Sequence, residues 1–98
     1  MTSKAGTVLV TGCNRGIGLE FVKQYLLLNW EVIATCRKPE KADALIRLSD
    51  GNPNLILHTL DITNEASVDS FLKEIGDWPI DLLINNAAYL GPPNPQKF

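Results

Sequence analysis

The sequence predicts an α/β fold: a doubly wound, all-parallel sheet. Two observations carry this. Short, β-branched apolar runs alternate with longer segments of helical periodicity. Turn residues separate the segments at Asn29, Ser49–Asn54 and Gly76. The order of elements is therefore βαβαβαβ.

Thr7–Thr11 reads as a strand buried on both faces, and the glycine-rich segment Gly12–Gly18 follows it. A helix is expected over 17–28. Its wide apolar stripe comprises Ile17, Phe21, Tyr25 and Leu28 with Leu19, Val22 and Leu26. Asn29 can end it in a left-handed conformation. Glu31–Cys36 is the second strand. Pro39 opens a second helix whose apolar face is Ala42, Leu45, Ile46 and Leu48. Leu55–Leu60 is the third strand. Thr63 or Asn64 caps a third helix with the core stripe Val68, Phe71, Leu72 and Ile75. Gly76 stops that helix, and Ile80–Ile84 is the fourth strand.

Right-handed crossovers between parallel strands give the order 3-2-1-4. The first two helices then cover one face and the third covers the other. A ligand crevice is expected at the switch point between strands one and four. Residues 1–90 form a single domain, and 91–98 a Pro-rich tail that cannot easily continue regular structure.

The 98 residues are 45% hydrophobic and 20% charged, with a net charge of −2. This balance argues for a soluble globular protein and against a basic nucleic-acid binder. No apolar run approaches the roughly 20 residues that cross a bilayer, and no signal peptide is evident. A cytoplasmic location is the expectation. Cys13 and Cys36 lack metal-ligand spacing, so no metal site is expected. Both lie at strand ends and approach each other if those strands are neighbours. His58, alone on a strand, reads as packing or surface, and Trp30 and Trp78 as packing.

The segment Thr11-Gly-Cys-Asn-Arg-Gly-Ile-Gly18 carries the chemistry. Gly12, Gly16 and Gly18 permit a tight strand-to-helix turn and let a phosphate approach backbone N–H groups. The helix N-terminus adds its partial positive charge. Following a strand and opening a helix, this is a dinucleotide-binding context.

The spacing T-G-x-x-x-G-x-G resembles the short-chain dehydrogenase/reductase family, with its Rossmann-like fold. The resemblance covers roughly residues 6–88. Asp61, in Leu-Asp-Ile-Thr, stands where the family meets the adenine ring, with Ile62 supplying a backbone contact. Asn85-Asn86-Ala87 matches the start of the family's N-N-A-G. There the first asparagine steadies the central sheet, and the segment lies against the adenine-side ribose. Ala88 replaces the family glycine. Ala34-Thr-Cys-Arg-Lys-Pro39 further resembles the carbonyl-reductase-like, C-factor and sniffer branch. The resemblance implies cofactor contacts or supports at Gly12, Asn14, Arg15, Gly16, Ile17, Gly18, Arg37, Asp61, Ile62, Asn85, Asn86 and Ala87. Asp61 also has a plainer reading, as a cap of the turn before the third helix.

The end of strand two selects the dinucleotide. A carboxylate there would bind a ribose 2′-hydroxyl and repel a 2′-phosphate. The chain instead has Cys36 followed by Arg37. A guanidinium binds a 2′-phosphate through charge-assisted hydrogen bonds, and Arg15 could close on it from the loop. NADP(H) is therefore the expected cofactor.

The family reduces carbonyls with a Tyr-x-x-x-Lys pair and a serine. Four residues after Tyr25 stands Asn29, and four after Tyr89 stands Pro93. The resemblance places that segment beyond Phe98, so the βαβαβαβ unit reads as a truncated fold with no catalytic residue of its own. The inherited reaction class is NADPH-dependent carbonyl reduction, not expected from these residues alone. Two alternatives stand beside it: a non-catalytic nucleotide-binding or strand-edge interaction module, and a truncated product without function. Leu82–Ile84 would be an exposed apolar edge, open to pairing with a full-length relative. Low stability as an isolated monomer is expected.

Overall fold

The computed structural model describes residues 4–86. Four parallel strands, β1 (Thr7–Thr11), β2 (Glu31–Cys36), β3 (Leu55–Thr59) and β4 (Leu82–Ile84), form one sheet in the order β3-β2-β1-β4. The helices are α1 (Gly16–Leu27), α2 (Asp43–Asp50) and α3 (Glu65–Ile75). The expected alternation and strand order are both present.

Register follows from the apolar pattern of the strands. Val8 pairs with Val32, and Val10 with Ala34. These four residues face α1 and α2, where Val22, Ala42 and Leu45 join them in one buried cluster. Leu9 and Ile33 point to the other face, where Phe71, Val68 and Ile75 of α3 meet them. Alternation in β1 and β2 thus feeds two cores on opposite sides of the sheet.

Several local expectations are corrected. Leu72 was expected in the core, but it is 59% exposed. Val68, Phe71 and Ile75 share the inward arc of α3, and Leu72 sits one helical step, about 100°, past Phe71. Ile17 and Leu28, at the two ends of α1, are likewise exposed. Pro39 starts a 3₁₀ turn, Pro39–Lys41, and α2 begins separately at Asp43 because Ala42 leaves helical geometry (φ −90°, ψ 74°). Helix α2 then runs into the expected turn, as far as Asp50. Strands three and four are shorter than expected, although Leu60 N–H still bonds the Cys36 carbonyl at 2.9 Å.

Asn29 ends α1 at φ 66°, in the expected left-handed region. Trp30 packs edge-on to Tyr25, with ring centroids 5.1 Å apart. Trp78 packs in the α3-side core, and its indole N–H also donates to Glu31 Oε1 at 3.0 Å. Lys4 Nζ reaches the other oxygen of Glu31 at 2.8 Å. Glu31 therefore gathers the amino ends of β1 and β2 and the loop before β4. His58 bonds Glu74 Oε2 through Nδ1 at 2.9 Å and lies edge-on to Phe71, joining β3 to α3. Ala87, Ala88 and the tail 91–98 lie outside the described residues.

Candidate functional site

A parallel sheet brings the carboxyl ends of all its strands to one edge. Here that edge carries Gly12–Gly18 after β1, Arg37 after β2, Asp61 and Ile62 after β3, and Asn85 and Asn86 after β4. The motifs named from the sequence are thus gathered along one side of the molecule.

The glycine loop is built by two different requirements. Gly12 and Gly16 adopt φ +66° and +60°, the left-handed region that disfavours a side chain. Gly16 has open space around it, so conformation rather than room demands glycine. Gly18 is the reverse case. A Cβ there would overlap the carbonyl oxygen of Gly12 and lie 2.7 Å from Asn86 Nδ2. The first turn of α1 therefore sits directly on the end of β1, held by backbone-to-backbone approach.

Helix α1 begins without a side-chain cap among the described residues. Arg15 is the N-cap in an extended conformation, its side chain makes no capping bond, and the first turn holds no acidic residue. The first N–H groups and the positive end of the helix dipole thus face outward, where an anion can receive both. Asn14, Arg15, Gly16 and Ile17 are all exposed around this end, and Ile17 is 68% exposed.

The asparagines after β4 fasten the switch point. Thr11 Oγ1 donates to Asn85 Oδ1 at 2.9 Å, and Asn86 Nδ2 donates to the Gly12 carbonyl at 3.2 Å. Asn85 therefore ties strands one and four together. Asn86 braces the loop itself. Thr11 is the residue that sequence reasoning missed here. It was read as the end of a buried strand and the first residue of the glycine motif, with no partner after β4.

Arg37 is exposed just past β2, and Arg15 is exposed in the loop. Among the described residues neither guanidinium makes an ion pair, so both remain available to an anion. Asp61 shows its plainer role directly. Its Oδ1 accepts from Thr63 Oγ1 at 2.6 Å and from Thr63 N–H at 2.9 Å. These two bonds, with a smaller effect of the Arg37 charge, hold its carboxyl below the usual carboxylate range. Its own N–H donates to Ser67 Oγ at 2.9 Å. Asn64 Oδ1 caps α3 by accepting from Ser67 N–H at 3.1 Å, which resolves the Thr63-or-Asn64 choice.

Cys13 and Cys36 are free and buried, and both belong to the core cluster on the α1 face. Burial pushes the Cys13 thiol up to about 12 and raises Cys36 as well. Among the described residues no group of three or more His, Cys, Asp or Glu side chains could hold a metal ion. Nor is any helix there long and apolar enough to cross a membrane.

Comparison with known proteins places this geometry. The family model described as short chain dehydrogenase matches residues 6–98. The uncharacterized oxidoreductase YusZ of Bacillus subtilis is 41% identical over 84 residues, covering 82% of this chain and 30% of that protein. A carbonyl reductase from Pseudomonas aeruginosa PAO1 in complex with NADP superposes with a TM-score of 0.81. It is 31% identical, with 89% of this chain and 40% of that one covered. A Caenorhabditis elegans structure assigned as the carbonyl reductase Sniffer gives a TM-score of 0.75 at 36% identity, covering 97% and 44%. The chain thus spans about a third of the length of the curated relatives it matches. On the family match and the shared fold, the chain belongs to the short-chain dehydrogenase family.

Proposed function

We propose that this chain is the NADP(H)-binding portion of a short-chain dehydrogenase/reductase whose reaction is NADPH-dependent reduction of an aldehyde or ketone. The observation that carries the reading is the uncapped start of α1. It has no acidic residue, three glycines beside it, and Arg37 in place of a carboxylate after β2. The Pseudomonas carbonyl reductase holds NADP on a superposable fold.

The residues fit the cofactor. Gly18 lets the first turn of α1 seat on the end of β1, and Gly12 and Gly16 give the loop its left-handed turns. The first N–H groups of α1 would hold the pyrophosphate. Arg37, with Arg15 from the loop, would hold the 2′-phosphate by charge-assisted hydrogen bonds. Asp61, already oriented by Thr63, would meet the adenine together with the Ile62 backbone. Asn14 and Ile17 line the loop. Asn85, Asn86 and Ala87 would support the ribose side, the first two through Thr11 and Gly12. When bound, the cofactor supplies a hydride to the carbonyl carbon. The protonation that must accompany that transfer needs a placed acid. The 98 residues hold no Tyr-x-x-x-Lys, so no turnover is expected from them alone.

A titration with NADPH and with NADH, followed by tryptophan and nicotinamide fluorescence, tests the reading. Saturable binding that favours NADPH is the expected result; binding of neither would remove it. Sustained NADPH oxidation with a carbonyl substrate would overturn the non-catalytic part.

A second reading rests on β4, which among the described residues lies at the sheet edge with Leu83 58% exposed. Such an edge can pair with another chain, such as a full-length relative. Co-purification with that relative would support it, and monomeric behaviour would count against it.

A further inference from the structure

Cys13 and Cys36 take no part in the proposed cofactor site, yet the backbone sets them side by side. Strands β1 and β2 are in register up to Thr11 and Thr35. Continued unchanged, that register would set Gly12 opposite Cys36. Gly12 instead turns at φ +66°, and the next hydrogen bond is Cys13 N–H to the Thr35 carbonyl at 3.1 Å. In a parallel ladder a residue donates to the neighbour just before its own partner. Cys13 therefore stands opposite Cys36, one residue having been absorbed at Gly12.

That slip also decides which face Cys13 occupies. Val8 and Val10 face the α1 side, as do Val32, Ala34 and Cys36. Without the extra residue Cys13 would point to the other side of the sheet. With it, Cys13 joins the same buried cluster as Cys36. Neighbouring strands lie about 4.8 Å apart, inside the roughly 4.4–6.8 Å between the Cα atoms of a disulfide. The Cys13 thiol now donates to the Val10 carbonyl at 2.9 Å, so it must rotate away from its own strand to meet Cys36.

We propose that Cys13 and Cys36 are a modification site: peroxide joins them in an intramolecular disulfide that fastens the start of the glycine loop to the end of β2. One thiol loses its proton, and the thiolate attacks a peroxide oxygen. The O–O bond breaks and a sulfenic acid forms, with water as the other product. The second sulfur then attacks the sulfenic sulfur, the S–O bond breaks, and the departing hydroxide takes the remaining thiol proton. Two thiols are oxidised, one peroxide is reduced, and two waters leave. Burial keeps the pair reduced while the loop is seated on β2. Peroxide reaches it when the loop lifts, a movement that breaks the Cys13 N–H bond to Thr35 and the Asn86 bond to Gly12.

The full chain in native buffer is treated with hydrogen peroxide. It is then alkylated under denaturing conditions and weighed intact without reductant. The expected product is a monomer that has lost two hydrogens, resists alkylation and regains both thiols with dithiothreitol. The sequence has two cysteines, so this mass identifies the bond. The variants Cys13→Ser and Cys36→Ser are each expected to leave one alkylatable thiol. Two alkylatable thiols after treatment would overturn the proposal. Separately oxygenated sulfurs, an interchain dimer, or closure only in urea would do the same. The wild-type mass alone decides the outcome if either variant fails to fold, and the result is independent of dinucleotide binding.

Discussion

Of the chain's three strand-to-helix passages, those into α1 and α3 finish their helix starts in opposite ways. At α3 the protein satisfies its own backbone. Asn64 caps the helix, Glu65 sits in its first turn, and Asp61 and Ser67 bind the turn before it. At α1 no side chain caps the helix and no acid stands in the first turn. The difference teaches what each terminus is for. A helix start completed by its own chain stabilises the fold, whereas one left open beside glycines and arginines leaves its N–H groups to an anion on the function proposed above.

The comparison breaks most visibly at Gly18. Gly18→Ala drives a Cβ into backbone that cannot move aside easily. A loss of about 3 kcal/mol in stability is expected, read by thermal or urea unfolding, together with loss of NADPH binding. An unchanged melt would show that α1 is not seated on Gly12 as described. Arg37→Ala is expected to leave the melt alone and weaken NADPH about thirtyfold, the equivalent of about 2 kcal/mol, with NADH little changed. Equal losses for both dinucleotides would remove Arg37 from the 2′-phosphate.

Gly16→Ala meets no steric obstacle, only the left-handed backbone, and should cost about 1.5 kcal/mol. Gly18→Ala must therefore exceed it; the reverse order would mean that backbone angle, not close approach, governs the loop. Asn64→Ala should lower stability by about 1 kcal/mol and leave NADPH affinity unchanged, since α3 is closed to ligands.

The smallest effect belongs to Asp61. Its folded carboxyl is held below the usual range by Thr63, so the unfolded chain binds the proton more tightly. Its contribution is present above the ordinary carboxylate range and is lost as pH falls through the lowered folded value. The stability gap between wild type and Asp61→Asn should shrink on acidification in unfolding series at successive pH. A gap that is constant with pH would assign the turn to hydrogen-bond geometry rather than charge.

Much of this site was legible beforehand for a physical reason. Glycine spacing, β-branched runs and an arginine where a carboxylate would bar phosphate are local facts of covalent chemistry, and they survive in the sequence. The plain capping role of Asp61 was legible too, because its partner Thr63 is two residues away. Thr11 was missed because its bond to Asn85 spans 74 positions. Leu72 was misplaced because periodicity gives the direction of a helix face but not the width of what covers it. Among the described residues three buried ones anchor the α3-side core, whereas ten make up the α1-side cluster, so the arc that α3 buries is narrow.

The sequence by itself determined the alternation of elements, the order of the sheet, the glycine loop and the sign of the charges beside it. These depend on residue type and short-range spacing. Only the tertiary structure decided that Asn86 braces Gly12, that Gly18 is a matter of room and Gly16 of backbone angle, and that one absorbed residue sets Cys13 opposite Cys36. Each of these depends on how closely two backbones approach. That distance is set by the packing of the whole sheet and its helices, not by any stretch of chain read alone.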